Sequence, residues 1–277
     1  MNFPPAASRL EARSLSLSYD RHPVTVDLTL EIPSAGFTVI VGPNACGKST
    51  LLKALARTLK PVAGNVLLDE RPIGSLPSRE VARQLAMLPQ SPIAPEGITV
   101  RDLVCRGRYP HQGMFRQFSA ADARAVDAAM AATGTINLAE RPLAELSGGQ
   151  RQRAWIALVL AQETELLLLD EPTTFLDIAH QYEVLNLCAR LHLEGRTVAV
   201  VLHDLNQAAR YATHLVVMNG GEIVAQGDPS EILTAELVQS VFGLAAVIIT
   251  DPESGTPLVV PRRQPFEHSS KEQGLQE

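Results

Sequence analysis

The sequence predicts an α/β fold: a parallel sheet with helices on both faces, a small antiparallel sheet ahead of it, and a helical insertion. Continuous apolar runs at residues 37–41, 166–169 and 197–202 read as strands buried on both faces, and segments with helical spacing lie between them. Alternation of that kind builds parallel sheets. Ahead of the first run, Leu15, Leu17 and Tyr19 alternate with polar residues, as do Val24, Val26, Leu28, Leu30 and Ile32. That period of two predicts a pair of antiparallel strands with one wet face, both preceding the first buried strand.

The run at 37–41 enters Gly42 directly, and residues 48–59 have helical spacing closed by Pro61 and Gly64. Between strand and helix, GPNACGKST at 42–50 fits the G-x-x-x-x-G-K-[ST] phosphate cradle. Gly42 and Gly47 bracket the loop, Pro43, Asn44, Ala45 and Cys46 fill it, and Lys48, Ser49 and Thr50 open the helix. Backbone N–H groups of a glycine-rich turn at a helix start attract phosphate, a lysine there reaches the outer phosphates, and the serine hydroxyl can ligate magnesium. Cys46 reads as a small residue filling space rather than as a redox-sensitive thiolate beside Lys48. The loop says nucleotide, and no more than that.

Residues 91–161 carry little strand signal and include an Ala-rich helix with Ser119 as N-cap and Gly134 as terminator. A helix over 178–193 stops at Gly195. Asn219 and Gly220 centre a hairpin, residues 246–260 form a second one, and residues 261–277 have the polar composition of a disordered tail.

Composition narrows the classes. With 277 residues and 45% hydrophobic content the chain can bury a sizeable core, and a formal net charge of -6 with interspersed signs offers no basic face to nucleic acid. Cys46, Cys105 and Cys188 are odd in number, far apart and without a C-x-x-C pair, so neither a disulfide framework nor a zinc site is indicated, and a reducing cytoplasm fits. The N-terminal stretch lacks the apolar run of a signal peptide, and LLLL at 166–169 is far too short to cross a bilayer. Any action on a membrane then requires another chain to span it.

LSGGQRQRAWIALVLAQ, residues 146–162, is a second helix start that can receive an anion. Ser147 is a good N-cap, Gly148 and Gly149 leave backbone N–H groups open, Gln150 follows, and Trp155, Ile156, Val159 and Leu160 give the helix an apolar side. Spelled LSGGQ, and set between a phosphate loop and an acidic strand end, this stretch resembles the signature motif of the ATP-binding subunits of ABC transporters. The resemblance runs from about residue 9 to residue 260. It implies a P-loop NTPase (RecA-like) core at 9–90 and 162–260 that includes the antiparallel β subdomain, with the helical signature subdomain at 91–161. ATP and Mg2+ are the implied cofactors.

The family's roles pass to matching positions. Asp170 resembles the Walker B aspartate, which with Ser49 and Gln90 serves the magnesium, and Glu171 is the implied general base for the attacking water or the group that orients it. His203 matches the switch histidine that contacts the γ-phosphate. Tyr19 matches the aromatic that stacks on adenine, although its alternation with Leu15 and Leu17 also suits a sheet-packing residue. Asp177 matches a loop aspartate that communicates across a dimer, and it equally suits the cap of the helix that follows. In that family two such subunits pair head to tail, so Ser147, Gly148, Gly149 and Gln150 would act on the ATP of a second copy. Ala45 departs from the glycine usual in the family's loop.

Within the family, GPNACGKSTLLKAL, GRYPHQ, PTTFLDIAHQYEVLNL and LHDLNQAARYA resemble the ATPases of importers for ferric siderophores, with cobalamin and haem importers next. The implied partners are transmembrane permease subunits, a second copy of the chain and, indirectly, an extracytoplasmic siderophore-binding protein. The implied place is the cytoplasmic side of the inner membrane, as a peripheral protein. An exporter ATPase is a less favoured reading on these motifs, and a soluble ABC ATPase would join two units or carry a long coiled coil. A GTPase would need an N-K-x-D motif, which the sequence lacks.

Overall fold

The computed structural model describes residues 9–20, 22–113 and 118–263. The chain opens with β1 (Leu10–Tyr19), β2 (His22–Ile32) and β3 (Phe37–Val41), then α1 (Lys48–Leu55), β4 (Ala63–Leu68), β5 (Arg71–Pro72), α2 (Ser78–Gln84) and β6 (Leu85–Leu88). Helices follow: α3 (Val100–Cys105), α4 (Ala120–Ala132) and α5 (Gly148–Ala161). Strand and helix then alternate through β7 (Leu166–Asp170), α6 (Ile178–Leu193), β8 (Thr197–Val201), α7 (Leu205–Tyr211), β9 (His214–Asn219) and β10 (Glu222–Gly227). The short α8 (Pro229–Ile232), α9 (Ala235–Phe242) and the hairpin β11 (Ala246–Thr250) with β12 (Pro257–Pro261) complete the described chain. Both hairpins form where the turn residues placed them.

The main sheet has the order β10-β9-β3-β8-β7-β6, all parallel except β10 at its edge. Every residue of β3, β7 and β8 is buried, which is why these strands read as unbroken apolar runs. Alternate residues still go to opposite faces. Val39, Leu167, Leu169, Val198 and Val200 join one core with Trp155 of α5, Leu185 of α6 and Ala208 of α7. Ile40, Leu166, Leu168, Ala199 and Val201 join another with Leu51 and Leu55 of α1 and with Leu10, Leu15, Leu17 and Leu30 of the antiparallel sheet. Helices therefore lie on both faces as expected, α1 covering the second one, where the antiparallel sheet adds to the cover.

That smaller sheet has the order β2-β1-β4-β5, so two of its strands follow the phosphate loop instead of preceding it. Its register also departs from simple alternation. Val26 is 67% exposed while Thr25 is 2% exposed, because Ser14 at φ 47° and Asp27 at φ 55° are left-handed and the pairing shifts around them. One extra residue in a strand flips every side chain beyond it to the other face. The first helix is shorter than its apolar spacing predicts, ending at Leu55, and Arg57 turns left-handed at φ 61°. Pro261 closes β12 instead of opening a tail, and residues 264–277 lie outside the described residues.

The helical insertion is pinned by a buried ion pair. Ser119 caps α4 reciprocally with Asp122, as its position predicts, and the Asp122 carboxylate also accepts from Arg108 Nε at 2.9 Å. Arg108 Nη1 donates to Ala161 O at 2.7 Å and to Glu163 Oε2 at 2.6 Å, tying the start of α4 to the end of α5. The bonds from Ser119 and the Arg108 guanidinium hold the Asp122 carboxyl down to about 2. Its folded-state value is below its unfolded one, so this stabilisation is complete above about pH 4 and is lost as pH falls toward 2. Asp122→Asn, which strands part of a buried charge, is expected to lower unfolding free energy by about 3 kcal/mol at pH 7 and by less at pH 3, read by denaturant melts at both values.

The turn from β3 into α1 stores strain at Ala45, which has φ 60°. A Cβ in the left-handed region costs about 1 kcal/mol or more. Ala45→Gly should therefore raise the thermal midpoint by about 2 °C, read by calorimetry, and an unchanged or lower midpoint contradicts the strain.

Candidate functional site

Sheet topology decides which residues can meet. In an open parallel sheet the groups beyond the carboxyl ends of neighbouring strands converge. Gly42 follows β3, Gln90 lies just past β6, Asp170 ends β7 with Glu171 next, and His203 follows β8. Five stretches far apart in sequence thus border one cleft of about 860 Å³, lined by Tyr19, Val24, residues 44–50, Gln90, Glu171 and His203.

The loop bends around its own lysine. A side chain at Gly42 would place its Cβ 2.2 Å from Met218 O, so the close approach of the neighbouring strand requires glycine there. Lys48 is buried, and its Nζ donates to Gly42 O at 2.9 Å and Pro43 O at 2.8 Å, with Cys46 Sγ at 3.8 Å. The lysine holds the loop's two ends together and presents an ammonium at the helix N-terminus, where the α1 dipole adds to its charge. Ser49 Oγ donates to Asp170 Oδ1 at 2.8 Å, joining the loop to the end of β7.

Asp170 is fully buried, and its Oδ2 has no hydrogen-bond partner. Burial pushes this carboxyl up from its ordinary value and the neighbouring Glu171 charge adds to the effect, against the bond from Ser49. An orphaned oxygen beside a serine hydroxyl is the donor chemistry of a hard divalent cation.

Glu171 is the most constrained carboxylate of the cleft. Gln90 Nε2 donates to its Oε2 at 2.7 Å, Thr174 Oγ1 to the same oxygen at 3.2 Å, and His203 Nε2 lies 2.6 Å from Oε1. Its backbone is left-handed at φ 52°, a conformation that costs a residue of this size about 1–3 kcal/mol and persists only where the surroundings impose it. The carboxylate is 8% exposed while His203 stands open to the cleft.

Tyr19 is 45% exposed at the mouth of the cleft, apart from the core that takes Leu15 and Leu17, so it is not a sheet-packing residue. The signature residues are elsewhere. Ser147 caps α5 in a reciprocal box with Gln150, as its position predicts, and none of residues 147–150 lines the cleft. Instead Gly148 and Gly149 pack beside Phe175 and Leu176, next to Asp177. Asp177 does cap α6, accepting from His180 N at 3.0 Å and pairing with His180 Nδ1 at 2.6 Å, and those bonds hold its carboxyl below the usual range. Sequence reasoning missed Val24 and Thr174. Val24 lines the cleft because β2 packs against the loop, where a Cβ at Gly47 would sit 3.1 Å from its Cγ1, and no residue pattern marks Thr174 apart from the threonine before it.

The ABC transporter family model matches residues 25–174. The ferric enterobactin transport ATP-binding protein of Escherichia coli K12 is 54% identical over 92% of this chain and 95% of its own length. A hemin import ATP-binding protein of Shewanella denitrificans is 42% identical over 91% of this chain and all of its own length. Among solved structures, a metal-chelate type ABC transporter in an inward-facing conformation superposes with a TM-score of 0.79 at 29% identity, covering 93% of this chain and 98% of that one. A dimeric bacterial ABC transporter cassette, 24% identical, shares the fold at a TM-score of 0.71 over 79% of this chain and 98% of that one. The phosphate loop, the signature and the acidic strand end thus occur in a chain that belongs to the ABC transporter family, among its ATP-binding proteins.

Proposed function

We propose that this chain is the ATP-hydrolysing subunit that powers import of ferric siderophores through a separate permease. The observation that carries the reading is Glu171, held by Gln90, His203 and Thr174 beside a phosphate loop whose Ser49 is bonded to Asp170. Names support the cargo: the E. coli relative is a ferric enterobactin transport protein, and a 51% identical Bacillus subtilis relative is a probable siderophore transport ATP-binding protein. The hemin import relative keeps haem as the second cargo.

In this reading residues 42–50 cradle the phosphates of ATP, Lys48 leaves its two loop carbonyls for the outer phosphate oxygens, and Tyr19 stacks on adenine. Ser49, Asp170 and Gln90 would hold magnesium, which would neutralise phosphate charge when bound. Glu171 accepts or orients a proton of the attacking water, whose oxygen bonds the γ-phosphorus as the bond to the β-phosphate oxygen breaks, leaving ADP and phosphate. His203 contacts the γ-phosphate from the other side of that carboxylate.

Ser147 to Gln150 lie away from the cleft, so they serve the nucleotide of a second copy, and Asp177 beside them communicates across that interface. The core then comprises 9–90 and 162–260, and the 91–161 helices meet the permease. No helix among the described residues is long and apolar enough to cross a membrane, which fits a peripheral place on the cytoplasmic face beside a permease and, indirectly, an extracytoplasmic binding protein.

Glu171→Gln should keep ATP affinity within about threefold of wild type while lowering kcat by at least about 100-fold, measured by equilibrium binding and phosphate release. Near-normal turnover removes Glu171 from catalysis. Uptake of radiolabelled ferric siderophore, cobalamin and haem in cells carrying wild type or this variant tests the cargo. Loss confined to siderophore is expected, and loss confined to haem or cobalamin replaces the cargo.

A further inference from the structure

Among the groups that the proposed chemistry does not use is an amide pair, one member buried and the other half-buried. Asp204 caps α7 by accepting from Asn206 N at 2.8 Å and Gln207 N at 2.9 Å. His203 immediately precedes that cap, so its backbone moves with the start of α7. Asp177 caps α6 in the same manner, and Gln181, one turn on, sends its Nε2 back to Leu176 O at 3.1 Å. A carbonyl oxygen only accepts, so this bond fixes which end of the Gln181 amide faces away from it. The Gln181 Oε1 so exposed accepts from Gln207 Nε2 at 2.7 Å.

Gln207 is 6% exposed and Gln181 half-buried, so breaking their bond would strand the Gln207 amide away from water. The two helix starts are thereby joined, one carrying His203 and the other following the turn that carries Asp177. Leu176, whose carbonyl anchors the pair, also lies under the signature: a Cβ at Gly149 would sit 3.4 Å from its Cδ2.

We propose that Gln181 and Gln207 are positioning residues that lock the backbone bearing His203 to the turn bearing Asp177. The histidine side of the cleft and the surface beside the signature then shift together. The inference rests on the ATPase reading, since its consequence is read as turnover.

The test is steady-state ATP hydrolysis by the full chain with magnesium, comparing wild type with Gln181→Leu, Gln207→Leu, the double variant and Tyr211→Phe. Each glutamine variant is expected to lower kcat about tenfold with KM for ATP within about twofold, and the double variant to be no slower than the worse single one, as for residues that act as a unit. Tyr211→Phe removes the Tyr211 Oη bond to Asn186 Oδ1, 2.8 Å long, which ties the last residue of α7 to the middle of α6, away from the two helix starts, and should leave kcat unchanged. The double variant leaves no amide facing an apolar partner, so its thermal midpoint should recover relative to the single variants while its kcat does not.

Wild-type kcat in the glutamine variants overturns the proposal, as does an equal loss in Tyr211→Phe or a kcat that recovers with the thermal midpoint. In each of those cases an active wild type leaves the ATPase reading standing. A wild-type chain without magnesium-dependent hydrolysis overturns that reading and this inference with it.

Discussion

Burial of the parallel sheet on both faces is the constraint from which the rest of the molecule follows. Strands β3, β7 and β8 carry apolar residues at nearly every position because one set of side chains faces α5, α6 and α7 and the other faces α1 and the antiparallel sheet. A strand so buried can hold reactive groups only at its ends. Asp170, Glu171, His203 and the phosphate loop therefore crowd one edge, where strand ends, helix starts and solvent meet.

The polar groups at that edge are mutually supporting. Lys48 satisfies two loop carbonyls, Ser49 satisfies one oxygen of Asp170, and Gln90 with His203 satisfies Glu171. These bonds compensate for desolvated charge and for a left-handed backbone at Ala45 and Glu171. In the proposed ATP hydrolysis, such preorganisation would spare the site reorganisation as charge develops on the transferring phosphoryl group. The remaining unpartnered oxygen, Oδ2 of Asp170, is a candidate position for a cation.

A second set of anion-receptive groups faces elsewhere. The α5 N-terminus, with its Ser147 cap and two glycines, packs against the turn from Phe175 to Asp177, and the cleft lining does not include it. Phe175 in that turn is left-handed at φ 65° and 88% exposed, an apolar side chain held outward at a backbone cost. The geometry of one copy thus sets the signature apart from the cleft and beside an exposed surface, which suits the proposed pairing of two copies.

Local signals were strong wherever one short segment held the whole cause. The phosphate loop, the Ser119 and Ser147 caps, the 178–193 helix and both hairpins follow from residues adjacent in the chain, so periodicity and turn chemistry suffice. Features that depend on distant partners were legible only in part. The bulge that exposes Val26, the two late strands of the antiparallel sheet, and Val24 and Thr174 at the site arise from pairing across the fold, which no local pattern encodes. By itself the sequence determined the elements and the residue types of the chemistry, because covalent neighbours set helix, strand and turn. Tertiary structure alone decided that Glu171 is gripped by Gln90 and His203, and that Gln207 meets Gln181, because those contacts exist only once the sheet order sets the strand ends side by side.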